Sequence, residues 1–251
     1  MSKDLFSSIA AGYAQYRPGY PDALIQAILD ITPQKDKVWD CATGNGQAAV
    51  MLARHFAHVE ATDLSAQQLQ QAQPNEKITY TQCPAEKTPF EDDSFDCITV
   101  AQAYHWFNFD AFHKEATRVA RNNATIAVWG YGLVKAPTPA IRKHIETLYV
   151  DIVGPYWDPE RKHIDREYST VTFDFEELPY LNFEYNVEWT PADLLGYLDT
   201  WSSLKNYRKA NNHSPLDTWA QKLNTIWPAE NGTEKLTFTF PLFLRRGKIR
   251  R

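Results

Sequence analysis

Apolar residues follow two different periodicities in the first half of the chain. Short runs that are apolar almost throughout predict strands buried on both faces of a sheet. The segments between them repeat apolar residues every three or four positions, which is typical of helices packed against such a sheet. The predicted strands are 37–40, 58–63, 78–82, 95–100 and 125–130, and the predicted helices are 4–13, 22–31, 47–55, 65–72 and 109–119. This alternation predicts an α/β fold with a mostly parallel sheet, helices on both faces and right-handed connections.

The second half of the chain follows a different pattern. Three predicted helices begin with a hydroxyl side chain followed by proline, at Thr138-Pro139, Thr190-Pro191 and Ser214-Pro215. A hydroxyl caps the free N–H groups of a helix, and proline is tolerated at the first helical position. Segment 151–182 is rich in charged and aromatic residues and predicts an inserted helical lid. Two closing strands, 185–189 and 236–244, bring the predicted sheet to seven strands.

These patterns divide the chain into four segments. They are an N-terminal helical cap (1–36), an α/β core (37–150), a substrate-side insertion or lid with one strand near 185–189 (151–234), and a closing strand with a basic tail (235–251). Five of the last seven residues are basic. A short run of charge at a terminus is typical of a solvated tail.

The composition favours a small-molecule partner over a nucleic acid or a membrane. The net charge of the 251-residue chain is −5, so it lacks the positive field that binds nucleic acid. No apolar run reaches the roughly 20 residues that span a bilayer, and the first residues lack the apolar core of a signal peptide. Cys41, Cys83 and Cys97 form no Cys-x-x-Cys pair. We therefore expect a cytoplasmic protein without a metal site, and the sequence leaves the oligomeric state open.

The strongest chemical signal is a strand that ends at Asp40 and is followed by a turn containing Ala42, Gly44 and Gly46. Glycine allows positive φ angles and lets a ligand approach the backbone. The N–H groups at the start of the next helix favour an anionic or carboxylate-bearing ligand. The following strand ends at Asp63. Because ligands of open α/β sheets bind at the carboxyl ends of the strands, we expect both acids and the turn to converge, with Asp63 placed to accept the hydroxyls of a ribose.

A dinucleotide site is a second interpretation of the same turn. Gly44-Asn-Gly46-Gln-Ala-Ala49 satisfies the G-x-G-x-x-G/A fingerprint of NAD(P)-dependent oxidoreductases, and Tyr131-Gly-Leu-Val-Lys135 matches the Tyr-x-x-x-Lys pair of short-chain dehydrogenases. The dinucleotide turn normally begins at the end of its strand, whereas Asp40 and Ala42 intervene before Gly44 here. The tyrosine and lysine need a helix to meet, but glycine and proline residues surround them.

The pattern Asp40-x-Ala42-x-Gly44-x-Gly46 after a strand, with an acid ending the next strand, resembles motif I of the class I S-adenosylmethionine-dependent methyltransferases. Three further segments resemble the subgroup that contains the trans-aconitate methyltransferases: Tyr13 with Tyr16-Arg-Pro-Gly-Tyr-Pro21, Ala85-Glu-Lys-Thr-Pro-Phe-Glu-Asp-Asp-Ser-Phe-Asp96, and Ala101-Gln-Ala-Tyr-His-Trp-Phe107. The resemblance implies a Rossmann-like fold, S-adenosylmethionine as the cofactor, and transfer of a methyl group to a small organic molecule, with carboxylates among the expected acceptors.

The resemblance also implies how the cofactor is bound. The turn would line its methionine part, Asp40 would order its amino end, Asp63 would hold the ribose, and Leu64 would pack on the adenine. The implied cofactor-binding residues are Tyr13, Asp40, Ala42, Gly44, Gly46, Asp63, Leu64, Ala85, Glu86 and Gln102. The sequence departs from the family pattern at Ala42, which replaces the usual first glycine, and at Pro84, where relatives often carry an aspartate that faces the adenine amino group.

The hypothesis for the acceptor pocket begins with Arg17, whose planar guanidinium suits a carboxylate. His105 is the candidate catalytic residue, either as a base for a hydroxyl or as a group that orients the acceptor. The other candidates are Tyr13, Tyr16, Tyr104, Trp106, Tyr131 and Trp201. Each of these aromatic residues has a competing interpretation as a core residue, because aromatics make up 14% of the chain. A nucleoside-cofactor-binding protein that has lost catalysis is the third function that the sequence allows.

Overall fold

Seven strands and nine α-helices make up most of the regular backbone among the residues that the structure describes. A computed structural model of the chain describes residues 16–228 and 234–250. Within these ranges the strands are β1 Lys37–Cys41, β2 His58–Asp63, β3 Ile78–Gln82, β4 Phe95–Ala101, β5 Ala120–Tyr131, β6 Glu176–Trp189 and β7 Leu236–Ile249. The predicted helix 4–13 lies outside the described residues.

The helices follow the predicted order, with boundaries shifted by a few residues. They are α1 Asp22–Leu29, α2 Gln47–Leu52, α3 Ala66–Gln70, α4 Phe109–Val119, α5 Pro139–Thr147, α6 Lys162–Asp165, α7 Pro191–Asp199, α8 Ser202–Asn211 and α9 Leu216–Ile226. Short 3-10 turns occur at Tyr104–Trp106, Gly154–Tyr156 and Pro159–Arg161, and a π-helical turn occurs at Leu148–Ile152. None of the helices in these ranges is long and apolar enough to cross a membrane.

The strands form one sheet in the order β3-β2-β1-β4-β5-β7-β6. The first five strands are parallel, and β7 runs antiparallel to both β5 and β6. The strand order changes direction at β1, which lies between β2 and β4. In an open α/β sheet this is the point where the loops separate and leave a crevice for a ligand. The mostly parallel seven-stranded sheet confirms the fold predicted from the sequence.

The sheet is buried on both faces, which explains why its central strands are so apolar. One core cluster joins α1 and α2 to the helices of the second half, and it includes the fully buried Trp129. The other cluster, around Trp39 and Phe112, packs α4 and residues 164–175 against the opposite face. The central strands are therefore covered on both faces, whereas the edge strand β6 exposes alternate residues. The loops that follow β1, β2 and β4 lie at the carboxyl ends of the central strands.

The predicted helix caps are mostly present. Thr138 and Thr190 accept hydrogen bonds from the backbone N–H three residues on, and Thr190 forms a full capping box with Asp193. Ser65 likewise accepts from the N–H of Gln68. The third proline signal is displaced, because helix α9 begins at Leu216 and the Ser214 hydroxyl accepts from the N–H of that residue.

The two closing strands are longer than predicted, and the expected basic tail is wrong. Strand β7 continues to Ile249, and Arg245, Arg246 and Lys248 lie within it. Arg246 and Lys248 donate to backbone carbonyls at the C-terminal end of α1 and just after it, those of Ala27 and Ile31. Cations suit a helix C-terminus because its last carbonyls lack partners within the helix. The basic residues are therefore part of the packing of the sheet.

Arg245 is the most deeply placed of these cations, with 7% of its surface exposed. Its guanidinium forms a bidentate ion pair with Glu177 on β6, at 2.6 and 3.0 Å. It also donates to the carbonyls of Tyr168 and Val171, at 2.8 and 2.7 Å. Arg245 thus links β7 to the turn that precedes β6.

We expect Arg245→Met to lower the free energy of unfolding by about 3 kcal/mol, because it leaves a carboxylate and two carbonyls without their donor. Urea denaturation measures this loss. Arg250→Met is the matched control, since Arg250, one residue after β7, pairs with Glu176 on β6 but is exposed. Equal sensitivity of the two variants to urea would contradict the role assigned to Arg245.

Candidate active site

The loop between β1 and α2 has an unusual backbone. Ala42, Gly44 and Gly46 have φ angles of 54°, 59° and 84°, in the left-handed region that non-glycine residues rarely adopt. The loop is fixed to the next strand, because the N–H of Thr43 donates to the carbonyl of Thr62 at 2.8 Å. A Cβ at Gly46 would collide with the hydroxyl of Tyr80. The backbone of this loop is therefore open to close approach by other groups.

Asp63 connects this loop to the end of β2. One of its carboxylate oxygens accepts from the N–H of Gly44 and the other from the N–H of Ser65, both at 2.8 Å. Asp63 thus both shapes the loop and presents a negative charge beside it.

Asp40 lies beneath the loop, with 1% of its surface exposed. It accepts hydrogen bonds from the hydroxyls of Thr43 at 2.5 Å and Thr99 at 2.8 Å. Burial raises its pKa from 3.8 to about 6, partly offset by these two bonds, and the nearby charge of Asp63 raises the pKa further. Asp40 therefore supports the loop through Thr43 and lies close enough to Asp63 for the two charges to interact.

The other predicted cofactor residues follow the neighbouring strands. The N–H of Cys83 donates to the carbonyl of Asp63 at 3.1 Å, which brings the segment containing Ala85 and Glu86 to the end of β2. The carbonyl of Leu64 accepts from the side chain of Gln82 at 2.9 Å. Glu86 also accepts from the N–H of Asn108, at 3.0 Å, before helix α4. Tyr13 lies outside the described residues.

Gln102 follows β4 and has a φ angle of 59°. Its N–H donates to the carbonyl of Trp129 at 2.9 Å, whereas its side-chain nitrogen is buried without a hydrogen-bond partner among residues 16–228 and 234–250. A buried amide donor without a partner costs about 1–3 kcal/mol. This side chain is therefore suited to a polar ligand atom at the carboxyl end of the sheet.

A cavity begins at Gln102 and extends under the helices of the second half. The empty space within it, open solvent at the mouth included, is about 520 Å³. Four aromatic side chains and two arginines contribute to its wall. The lining residues are Arg17, Gln102, His105, Trp106, Trp157, Asp158, Arg161, Ile164, Tyr197, Trp201 and Ser202.

The two arginines are held by different contacts. Arg17 donates to the hydroxyl of Tyr131 at 2.5 Å and to the carbonyl of Thr200 at 3.2 Å. The Nε of Arg161 donates to the Tyr149 hydroxyl at 3.2 Å, and its guanidinium carbon lies 4.9 Å from the ring centre of Trp157. These contacts orient both guanidinium groups at the cavity.

His105 lies at the same wall, with 5% of its surface exposed. Its Nδ1 is 3.1 Å from the hydroxyl of Tyr168. Burial, followed by the positive charges of Arg161 and His163, holds the pKa of His105 well below its usual range. The imidazole is therefore neutral at physiological pH.

Known proteins are similar to this chain in sequence and in architecture. A protein assigned as a methyltransferase in Dictyostelium discoideum is 34% identical over 245 residues, which cover 96% of this chain and 93% of the relative. Residues 39–128 match the family described as Methyltransferase domain. A solved structure assigned as a type II methyltransferase from Anaeromyxobacter dehalogenans matches with a TM-score of 0.85 and 35% identity, over 94% of this chain and 99% of that chain.

The chain belongs to the class I S-adenosylmethionine-dependent methyltransferases. This membership favours the methyltransferase interpretation of the glycine turn over the oxidoreductase one. A methyltransferase structure from Bacillus halodurans, 21% identical with a TM-score of 0.52 over 92% of this chain and 100% of that chain, shares the fold.

Three of the predicted acceptor residues do not line the cavity of this methyltransferase. Tyr104 is fully buried, and its hydroxyl bonds to His113 at 2.6 Å and to the carbonyl of Thr172 at 3.1 Å, so it belongs to the core. Tyr131 is 3% exposed and reaches the cavity only through its bond to Arg17. Tyr16 packs its ring against the backbone of Gly196 in α7. Arg17, Gln102, His105, Trp106 and Trp201 do line the cavity.

Sequence reasoning missed the rest of the cavity wall, which consists of Trp157, Asp158, Arg161 and Ile164, and of Tyr197 and Ser202 near the predicted Trp201. One signal was available: Asp158-Pro159 has the form of a helix start, and a 3-10 turn does begin there. That signal predicts the turn but not the direction of the Arg161 side chain. The direction depends on contacts with Tyr149 and Trp157 that only the folded chain forms.

We expect Asp40→Asn to stabilise the ligand-free methyltransferase at neutral pH. The folded-state pKa of Asp40, about 6, exceeds the ordinary 3.8, so the folded state binds more protons between these values and stability falls as pH rises through them. The burial of the ionised group then costs about 3 kcal/mol above pH 6. The variant should gain roughly 1–3 kcal/mol at about pH 8 and progressively less toward pH 4.

Urea denaturation at about pH 8 and about pH 4.5 tests this expectation. Asp151→Asn is the control, because that carboxylate is exposed. A gain that stays the same at both pH values would show that the charge of Asp40 is not its source.

Proposed function

We propose that this methyltransferase binds S-adenosylmethionine at the β1–α2 loop and transfers its methyl group to a small, polar organic molecule, with carboxylates as the preferred class. The observation that carries the proposal is the cavity that begins at Gln102 and is lined by Arg17 and Arg161. Gln102 follows β4, the neighbour of β1 in the sheet. The cavity and the loop therefore both lie at the carboxyl ends of the strands, as a transfer between two bound molecules requires.

The residues at the loop fit the cofactor. The open backbone at Gly44 and Gly46 suits close approach by its methionine part, and the carboxylate of Asp63 beside this loop suits the ribose hydroxyls. Gln102 offers its unpartnered amide to the methionine end. We assign Leu64, Ala85 and Glu86 to contacts with the nucleoside of the cofactor. Asp40 and Ala42 would shape the loop around its methionine part, and Tyr13 would close over the bound cofactor. The cofactor supplies an electrophilic methyl group bonded to a positively charged sulfur.

The protein contributes alignment and the exclusion of water. Methyl transfer is an in-line displacement, and correct orientation of the two reactants can remove about 7 kcal/mol of the barrier. Residues 151–234 form the substrate-side lid in this proposal, since Trp157, Arg161 and Trp201 from this segment close the cavity. The N-terminal cap contributes Arg17 to the wall.

The charges of the cavity favour a carboxylate. Arg161 is largely buried, and its pKa lies above the ordinary value because Tyr149 and Asp165 outweigh the effect of burial. Its two terminal nitrogens have no hydrogen-bond partner in the described parts of the chain. A guanidinium in this state pairs well with the two oxygens of a carboxylate. Asp158, whose Oδ2 is buried without a partner in the same ranges, would accept from a hydroxyl or amino group on the same molecule.

Loss of Asp63 should weaken cofactor binding. Its charge-assisted hydrogen bonds contribute about 1.5–3 kcal/mol each, so Asp63→Ala should raise the Kd for S-adenosylmethionine roughly tenfold or more. Isothermal titration calorimetry measures this change, with exposed Glu91→Ala as the control. Asp63→Asn separates ribose binding from loop support, because it keeps one acceptor for the backbone. Wild-type affinity in both Asp63 variants would contradict the assignment.

The acceptor itself can be identified by incubating the protein with labelled cofactor and a metabolite extract, then analysing the methylated product. Cofactor binding without any methylated product would indicate a protein that has lost catalysis. With the acceptor identified, Arg161→Leu should raise its KM about tenfold or more, because a charge-assisted pair is lost. The Kd of the cofactor should not change.

Arg166→Leu is the matched control for Arg161→Leu, since Arg166 is exposed on the same short segment. An acceptor without a carboxylate, or an unchanged KM in Arg161→Leu, would refute the carboxylate part of the proposal.

A further inference from the structure

Asp158 occupies a capping position but does not act as a cap. It precedes Pro159 at the start of a 3-10 turn, where an aspartate side chain ordinarily accepts from the free N–H groups of the turn. No such hydrogen bond forms, and the Oδ2 of Asp158 is buried without a partner in residues 16–228 and 234–250. Asp158 lines the cavity instead. Its carboxylate is therefore available to a group inside the cavity.

Arg161 lies on the same side of this turn. The N–H of Arg161 donates to the carbonyl of Asp158 at 2.9 Å, and residues three apart in a 3-10 turn eclipse each other. Both side chains line the cavity, yet no ion pair joins them in the described parts of the chain. Arg161 is held by Asp165 and by the Tyr149 hydroxyl, which lie 3.4 and 3.2 Å from its Nε. The turn thus presents a negative and a positive charge to the cavity separately.

The other basic groups of the wall are engaged or uncharged. Arg17 donates through one terminal nitrogen to the hydroxyl of Tyr131 and through the other to the carbonyl of Thr200. His105 is neutral, because burial holds its pKa well below its usual range. This leaves the two charges of the 3-10 turn for a ligand to neutralise.

The rest of the wall favours a cation beside the carboxylate of Asp158. The faces of aromatic rings attract ammonium groups. Aromatic walls also solvate a charge poorly, so an unpaired charge is costly there. A ligand with a single charge leaves Asp158 or Arg161 unpaired, whereas a ligand with both charges pairs with both residues. The aromatic lining residues are Trp106, Trp157, Tyr197 and Trp201.

We propose that Asp158 and Arg161 together select a zwitterionic acceptor, an amino carboxylate, in which the ammonium group binds Asp158 and the carboxylate binds Arg161. This inference rests on the proposed function and narrows its carboxylate class. Asp158 determines specificity through binding and takes no part in the bond changes of the transfer. Because an ammonium nitrogen has no lone pair, the methyl group is transferred to a different atom of the acceptor.

Chemical blocking of a metabolite extract tests the proposal with the wild-type protein. One portion of the extract is left untreated, a second is acetylated at its amines, and in a third the carboxylates are converted to methylamides. Each portion is incubated with the protein and radiolabelled S-adenosylmethionine. We expect each treatment to lower the label in the products about tenfold or more, because one charge-assisted pair is lost. Mixtures of treated and untreated extract control for inhibitors and should be labelled like the untreated portion.

Undiminished labelling of the acetylated portion would overturn the proposal and leave the proposed function intact, and so would a product methylated on the amine nitrogen. Undiminished labelling of the amidated portion would refute the carboxylate class and both conclusions with it. Both conclusions also fail if no portion is labelled.

The variant Asp158→Asn isolates the charge of Asp158 once the acceptor is identified. It keeps an oxygen that accepts from a hydroxyl but loses the ion pair with an ammonium group. We expect its KM for the acceptor to rise about tenfold or more, and its KM for the analogue without the amine to stay within about twofold of the wild-type value. The Kd of the cofactor should not change. Asp151→Asn is the control, since that carboxylate is exposed on the same segment.

A wild-type KM for the acceptor in Asp158→Asn, or an equal rise in KM for the acceptor and its analogue, would show that Asp158 does not select the ammonium group. If this variant does not fold, the blocking experiment decides, because it uses the wild-type protein.

Discussion

The carboxylate of Asp63 holds together the part of the molecule on which the function depends. It binds one N–H of the glycine loop and one N–H at the start of the next turn, both at 2.8 Å. Together with the bond from the N–H of Thr43 to the carbonyl of Thr62, this bridge fixes against β2 a loop in which Ala42, Gly44 and Gly46 have left-handed backbone. Asp40 supports the same loop from below through two threonine hydroxyls. Burial disfavours the ionised form of Asp40, so the arrangement that shapes the loop lowers the free energy of unfolding.

The sequence predicted the parallel half of the fold well because its signals are local. Each central strand is an apolar run, and Ser65, Thr138 and Thr190 mark helix starts through contacts within one turn. The convergence of Asp40 and Asp63 followed from the general geometry of parallel sheets. The part of the site formed by the glycine loop, Asp40 and Asp63 could therefore be predicted from the sequence without knowledge of any long-range contact.

The remaining features depend on contacts between distant segments. The basic residues of β7 have the composition of a solvated tail, and only their bonds to the end of α1 and to Glu177 make them structural. Arg161 and Tyr168 lie in a charged, irregular segment without periodicity. The Arg161 side chain contacts Tyr149, 12 residues earlier, and the Tyr168 hydroxyl contacts His105, 63 residues earlier. Conversely, Tyr104 has the position expected of a ligand contact, but its ring is taken up by the core. Local pattern does not specify the direction of such side chains.

The insertion of β7 between β5 and β6 also bears on the order of folding during synthesis. Strand β6 has no partner in the sheet until β7 is available, because β7 is the strand that separates it from β5. Chains grow at about 5–20 residues per second, so β6 waits for several seconds with an unpaired edge while residues 190–249 leave the ribosome. An unpaired strand of 14 residues can pair with other chains. The alternating charged residues along β6, such as Glu184 and Glu188, would oppose such pairing between nascent chains.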